Sequence, residues 1–138
     1  MAVGNIITPL QQDWVKPTDW IDISSVGNNE INLLVMDGTT AFAVNLPTGT
    51  YSIDWGDGVV ETGRVGGTSY SHTYVWGSGT ATSYGYTVYK IRIFNAGSNI
   101  TRFWMNNPVI PNVTQSRGAP LLWLVMGTTG LTSMNQIV

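Results

Sequence analysis

Cysteine is absent from the 138 residues of this chain, so disulfides and thiolate metal sites are excluded and the redox compartment goes unread. Charge is nearly as scarce. Asp, Glu, Lys and Arg make up 10% of the residues, where ordinary soluble domains carry about 25%. The six basic residues, Lys16, Arg64, Lys90, Arg92, Arg102 and Arg117, are scattered and the net charge is −2, so the electrostatic footprint of a nucleic-acid binder is missing. Long apolar runs are missing too: residues 119–126 form the longest, and it contains Pro120. That is far short of the roughly 20 residues a membrane-spanning helix needs. Residues 1–12 have neither a basic start nor a sustained apolar core, so no secretory signal is expected. No stretch carries the apolar stripe of an amphipathic helix.

What is present is enough for one domain with a self-sufficient core. Gly, Ser, Thr and Asn stand in for charge, and the chain holds six Trp and six Tyr. The most informative stretch is Tyr51-Ser52-Ile53-Asp54-Trp55-Gly56-Asp57-Gly58. Tyr51, Ile53 and Trp55 alternate with Ser52 and Asp54, the period of a half-buried strand. Asp57-Gly58 then supplies a hairpin turn, because Asp bonds its own turn and Gly accepts a positive φ without steric cost. Residues 59–64 are the expected return strand.

Further strands are expected over residues 30–36 and 41–46, joined as a hairpin through Asp37-Gly38, and over residues 70–74. A Gly/Ser/Thr loop over residues 77–83 leads to the strongest strand, residues 86–94, rich in β-branched and aromatic side chains. Its parity slips: Tyr86 and Val88 lie on one side, Tyr89, Ile91 and Ile93 on the other. A β-bulge near Tyr89-Lys90 would reconcile them; without it, Lys90 and Arg92 would share a solvated face with Val88. Short strands punctuated by turns predict an all-β antiparallel sandwich.

The flanks differ in character. In residues 1–27, two Asp-Trp pairs, Asp13-Trp14 and Asp19-Trp20, flank Lys16-Pro17, and Pro favours extended backbone before it. An extended arm is expected to pack through its Trp rings on its own domain, a neighbouring subunit or a larger assembly. Toward the other end, residues 100–105 and 121–126 are similar apolar segments about 21 positions apart, with a weaker third at residues 131–134. They are either a stub of a repeat array or, the preferred reading, added strands with long connections.

Three motifs occur in order: Ile53-Asp54-Trp55-Gly56-Asp57-Gly58, Tyr70-Ser71-His72-Thr73-Tyr74 and Tyr86-Thr87-Val88. Over residues 28–97 the chain resembles the polycystic-kidney-disease (PKD) domain family, although the loop over residues 75–85 is longer than that family's usual link. The resemblance implies an immunoglobulin-like β-sandwich of non-catalytic character, used in surface, secreted and phage structural proteins. The expected organisation is an arm over residues 1–27, a PKD-like sandwich over 28–98 and C-terminal strands over 99–138.

Candidate residues fall into two groups. Asp54, Trp55, Gly56, Asp57, Gly58, His72 and Tyr74 form a structural motif. Asp54 and Asp57 with Glu61 could be drawn as a cation site, but turn structure is the preferred reading. A lone His without Cys does not build a zinc site, and the resemblance puts His72 in the packing beside the Trp motif. Trp14, Trp20, Trp76 and Trp123 are the partner-binding candidates, with Trp76, at the start of its Gly/Ser-rich loop, foremost for an exposed contact. No catalytic residue, metal or cofactor is expected. The expected role is a non-enzymatic virion structural module, such as a phage head decoration, fibre or tail-associated protein. It would be homo-oligomeric and held to other virion proteins through its arm and C-terminal segment. The alternative is a glycan-binding or adhesion module of an extracellular or cell-surface protein.

Overall fold

The computed structural model describes residues 16–106, 121–127, 129 and 133–134, and all regular structure among them is β-strand. The strands are β1 (Ile31–Met36), β2 (Thr39–Asn45), β3 (Thr50–Asp54), β4 (Val60–Val65), β5 (Ser69–Thr73), β6 (Thr80–Ala81), β7 (Thr87–Phe94), β8 (Arg102–Asn106), β9 (Leu121–Met126) and β10 (Ser133–Met134). One sheet runs β4-β3-β7-β1-β9, with β6 added beside the start of β7; the other runs β10-β8-β2-β5. All pairings are antiparallel except the two-residue β10–β8 contact. The fold is an all-β sandwich.

Alternation decides which side chains fill the space between the sheets. Ile31, Leu33 and Val35 of β1, Ile53 of β3 and Ile91 and Ile93 of β7 meet Phe42 and Val44 of β2 and Phe103 of β8 in one cluster. Burying these side chains supplies the main driving force, about 1.5–3 kcal/mol for each large apolar group. β1 is buried on both faces. Its even positions, Asn32 and Leu34, point outward and are covered by residues of the arm.

Two expectations are corrected. β1 and β2 are not a hairpin: they belong to different sheets, and Asp37-Gly38 carries the chain from one to the other. Gly38 adopts φ 118°. Asp37 is buried and takes hydrogen bonds from Gly77, Thr87 and Tyr89, distant in sequence, which ties the crossover to the start of neighbouring β7 and to the turn over residues 75–78. Nor does β7 contain a bulge, since it pairs with β1 without a break from Ile31↔Ile93 to Met36↔Val88. Val88, Lys90 and Arg92 do share the outer face, but Val88 is sealed by Trp20, Ile23 and Leu34, so its apolar character has a local cause. Arg92, at the exposed end, pairs with Glu30 at 2.7 Å.

The apolar segments near the C-terminus are added strands rather than a repeat stub. β8 pairs with β2 and contributes Phe103 and Met105 to the core, while β9 pairs with β1. β8 and β9 are therefore integral strands of the two sheets.

Candidate functional site

The three sequence motifs converge on one end of the sandwich. At the end of β3, Asp54 Oδ1 accepts from Gly56 N at 2.9 Å, and Trp55 N donates to Val59 O at 2.9 Å, closing the β3–β4 turn. Gly56 has φ 83°, and a Cβ there would lie 2.2 Å from the Lys90 carbonyl oxygen, so no other residue fits. This close approach presses the turn against β7. Trp55 is thereby fully buried, 5.3 Å from the Phe42 ring.

β5 brings His72 and Tyr74 to the same place because residues of equal parity share a face. The His72 ring stacks on Trp55 at 4.9 Å, and its Nε2 meets Asp57 Oδ2 at 2.7 Å. Tyr74 donates to the Trp55 carbonyl at 2.7 Å and stacks on Tyr89 at 3.8 Å. Asp57 also accepts from Val59 N at 3.2 Å. Burial by itself would raise the Asp57 carboxyl, but the His72 and Val59 hydrogen bonds outweigh it and hold the group below the usual carboxylate range. Asp54, Trp55, Gly56, Asp57, Gly58, His72 and Tyr74 thus form one connected lock between β3, β5 and β7. The three carboxylates take separate partners: Asp54 serves Gly56, Asp57 serves His72 and Val59, and Glu61 pairs with Arg64 at 2.9 Å. Among the described residues no group of three or more metal-ligating side chains comes together.

Beside this lock stands the most exposed tryptophan among the described residues. Val75-Trp76-Gly77-Ser78 forms a turn in which Ser78 N donates to Val75 O at 3.1 Å and Gly77 takes φ 77°. Every anchor lies underneath. Gly77 N donates to Asp37 Oδ1 at 3.2 Å, and Tyr89 OH donates to Val75 O at 3.1 Å. Trp76 is thrown outward, 73% exposed, beside an equally exposed Val75. In the β6–β7 loop, Tyr84 is also exposed and stacks on Tyr86 at 6.3 Å. What this end offers chemically is a rigidly held aromatic surface.

Asp37, which sequence reasoning took as a turn residue, is the hidden support. Its carboxylate accepts from Gly77 N, Thr87 N, Thr87 Oγ1 and Tyr89 OH at 2.6–3.2 Å. Burial pushes its titration up, yet the hydrogen bonds win and leave the group below the ordinary value. The only sequence signal for this role is an Asp directly after four consecutive apolar residues, Leu33 to Met36. It is the same signal a hairpin turn gives.

The other partner candidates fare differently. Trp20 packs on its own chain, 9% exposed, with Ile23, Leu34 and Val88, and donates from Nε1 to Tyr86 OH at 2.9 Å. Trp123, half-buried on β9, packs against the same cluster, with Lys16 Nζ 4.4 Å above its ring. Trp14 lies outside the described residues. Of the partner candidates among the described residues, then, Trp76 alone projects into solvent. No protein-family model matches this chain, and comparisons with curated proteins and with solved structures also give no match.

Proposed function

We propose that this chain is a non-enzymatic structural module of the virion type. In this reading its PKD-like sandwich is a rigid stand that presents the Trp76 end to a partner, while the arm and C-terminal strands hold neighbouring copies. The observation that carries the reading is the Trp76 turn. A large ring carried on a turn that Ser78 closes on Val75 O with two hydrogen bonds, and that two more tie inward to Asp37 and Tyr89, is costly to leave solvated and is the kind of residue that dominates protein interfaces. Val75 beside it, also exposed, extends that apolar surface.

A second reading, a glycan-binding or adhesion module, rests on the same end, because exposed Trp and Tyr rings also stack on sugar faces. Two assays separate them. Light scattering of the pure chain over a concentration series should show assembly if the module is structural, with a blank glycan array. The adhesion reading expects a monomer with glycan hits that vanish in Trp76→Ala. A monomer with no hits would remove both.

A further inference from the structure

The outer face of the first sheet contains a defined cradle, and the residues filling it are Asp19-Trp20-Ile21. Asp19 accepts the backbone N–H of Ser83; Trp20 donates to Tyr86 OH at 2.9 Å and sits on Leu34 and Val88; Ile21 packs on the rim of the same cluster. Asn32 clasps the backbone just beyond, through Ile23 O at 3.1 Å and Ser25 O at 2.9 Å. The cradle therefore holds an acceptor, then an indole whose N–H donates, then an aliphatic side chain in three consecutive positions, the first two belonging to a turn that Trp20 N closes on Pro17 O at 3.4 Å, a local departure from the extended arm the sequence led one to expect.

The chain carries that tripeptide twice. Asp13-Trp14-Val15 repeats Asp19-Trp20-Ile21 with one methylene fewer at the third position. While its own cradle is filled by the second copy of the motif, the first has the same chemistry to offer to another molecule. We propose that the cradle is an Asp-Trp-aliphatic recognition site and that its second ligand is Asp13-Trp14-Val15 from another copy of this chain. Two molecules would exchange arms, each motif replacing its counterpart in the other's cradle. Arm exchange of this kind creates dimers with few new contacts, so the balance is set by concentration. The intramolecular occupant has an effective concentration on the order of mM, which keeps dilute protein closed.

This inference rests on the reading of the chain as a self-associating module, and its test is separable from that reading. Asp19→Asn weakens the resident motif while keeping the Trp20 ring in place, and Trp20→Ala empties the cradle outright. In full-length chain either change should lower the concentration for half dimerisation at least tenfold by light scattering, and adding Trp14→Ala should restore the monomer. If the single variants, folded by circular dichroism, have the same mass with and without Trp14, the proposal fails. Should Trp20→Ala not fold, Asp19→Asn carries the test. A fluorescein-labelled peptide of residues 11–17 gives a second readout. It should bind Trp14→Ala/Trp20→Ala chain saturably, and at least tenfold more weakly once Tyr86→Phe removes the acceptor. No saturable binding up to mM peptide overturns the proposal. Assembly that persists without Trp14 would also sink it, yet leave the structural-module reading standing.

Discussion

Asp37 offers the sharpest test of how the Trp76 end is built. Replacing it with Ala removes an acceptor shared by four donors. One of these recovers: Tyr89 OH keeps Val75 O as an acceptor, whereas the Thr87 hydroxyl, which accepts from Gly79 N, loses the acceptor for its own proton. The backbone N–H groups of Gly77 and Thr87 lose theirs as well, and each part-buried donor left unpaired costs about 1–3 kcal/mol. Removing the buried carboxylate offsets part of this, which leaves a net loss of about 3 kcal/mol and a fall in Tm of about 10 °C for a domain of this size. Asp37→Asn should cost less, about 2 kcal/mol. Its oxygen can keep the three bonds made by Oδ1, and only Thr87 N is turned against an amide donor.

Urea unfolding followed by far-ultraviolet circular dichroism gives the free energies, and amide hydrogen exchange gives their location. Gly77 and Thr87 should lose protection first, because they lose their acceptor, while β1 and β7 exchange only through global unfolding. If Asp37→Ala costs under about 0.5 kcal/mol, or if protection falls evenly across the sheet, the carboxylate does not anchor the turn. An Asn variant as damaging as the Ala variant would also contradict the geometry.

Gly56→Ala should destabilise by more than about 3 kcal/mol, since it adds a backbone collision to an unfavourable φ; Gly58→Ala, with φ 96° and open space around it, should cost about 1–2 kcal/mol by the same urea assay. Trp76→Ala should change stability by no more than about 0.5 kcal/mol, because a ring 73% exposed contributes little to the fold. Acid should weaken the domain through Asp37 and Asp57, whose folded titrations are both depressed. Their contribution is complete above the unfolded value near 3.8 and is lost as pH falls through the lower folded values. Urea midpoints measured from pH 7 down to pH 2 should therefore hold until about pH 4 and then drop, with the drop reduced in Asp57→Asn.

The β3–β4 turn and the His72-Tyr74 pairing were legible because the motif chemistry is local: Asp54 and Asp57 bond amides two residues away, and parity alone puts His72 beside Tyr74. The route between strands was not. Asp37-Gly38 between two apolar runs describes a hairpin and a sheet-to-sheet crossover equally well. The choice is made by Thr87 and Gly77, about 50 and 40 positions away, which no local window contains.

The misread bulge in β7 has a different cause. It came from assuming that an apolar side chain must face the space between the sheets, so that Val88 and Ile91 could not lie on opposite sides of a regular strand. The strand is regular, and Val88 is apolar because the arm supplies a second apolar cover through Trp20 and Ile23. The same cover explains why Leu34 of β1 is fully buried on the outer side. Without residues 16–27 in place, Leu34, Val88, Trp123 and Val125 would form an exposed apolar patch on an otherwise weakly charged surface, and such a patch invites association. The parity slip in β7 is thus the trace, in one strand, of a covering segment some 70 residues earlier in the chain.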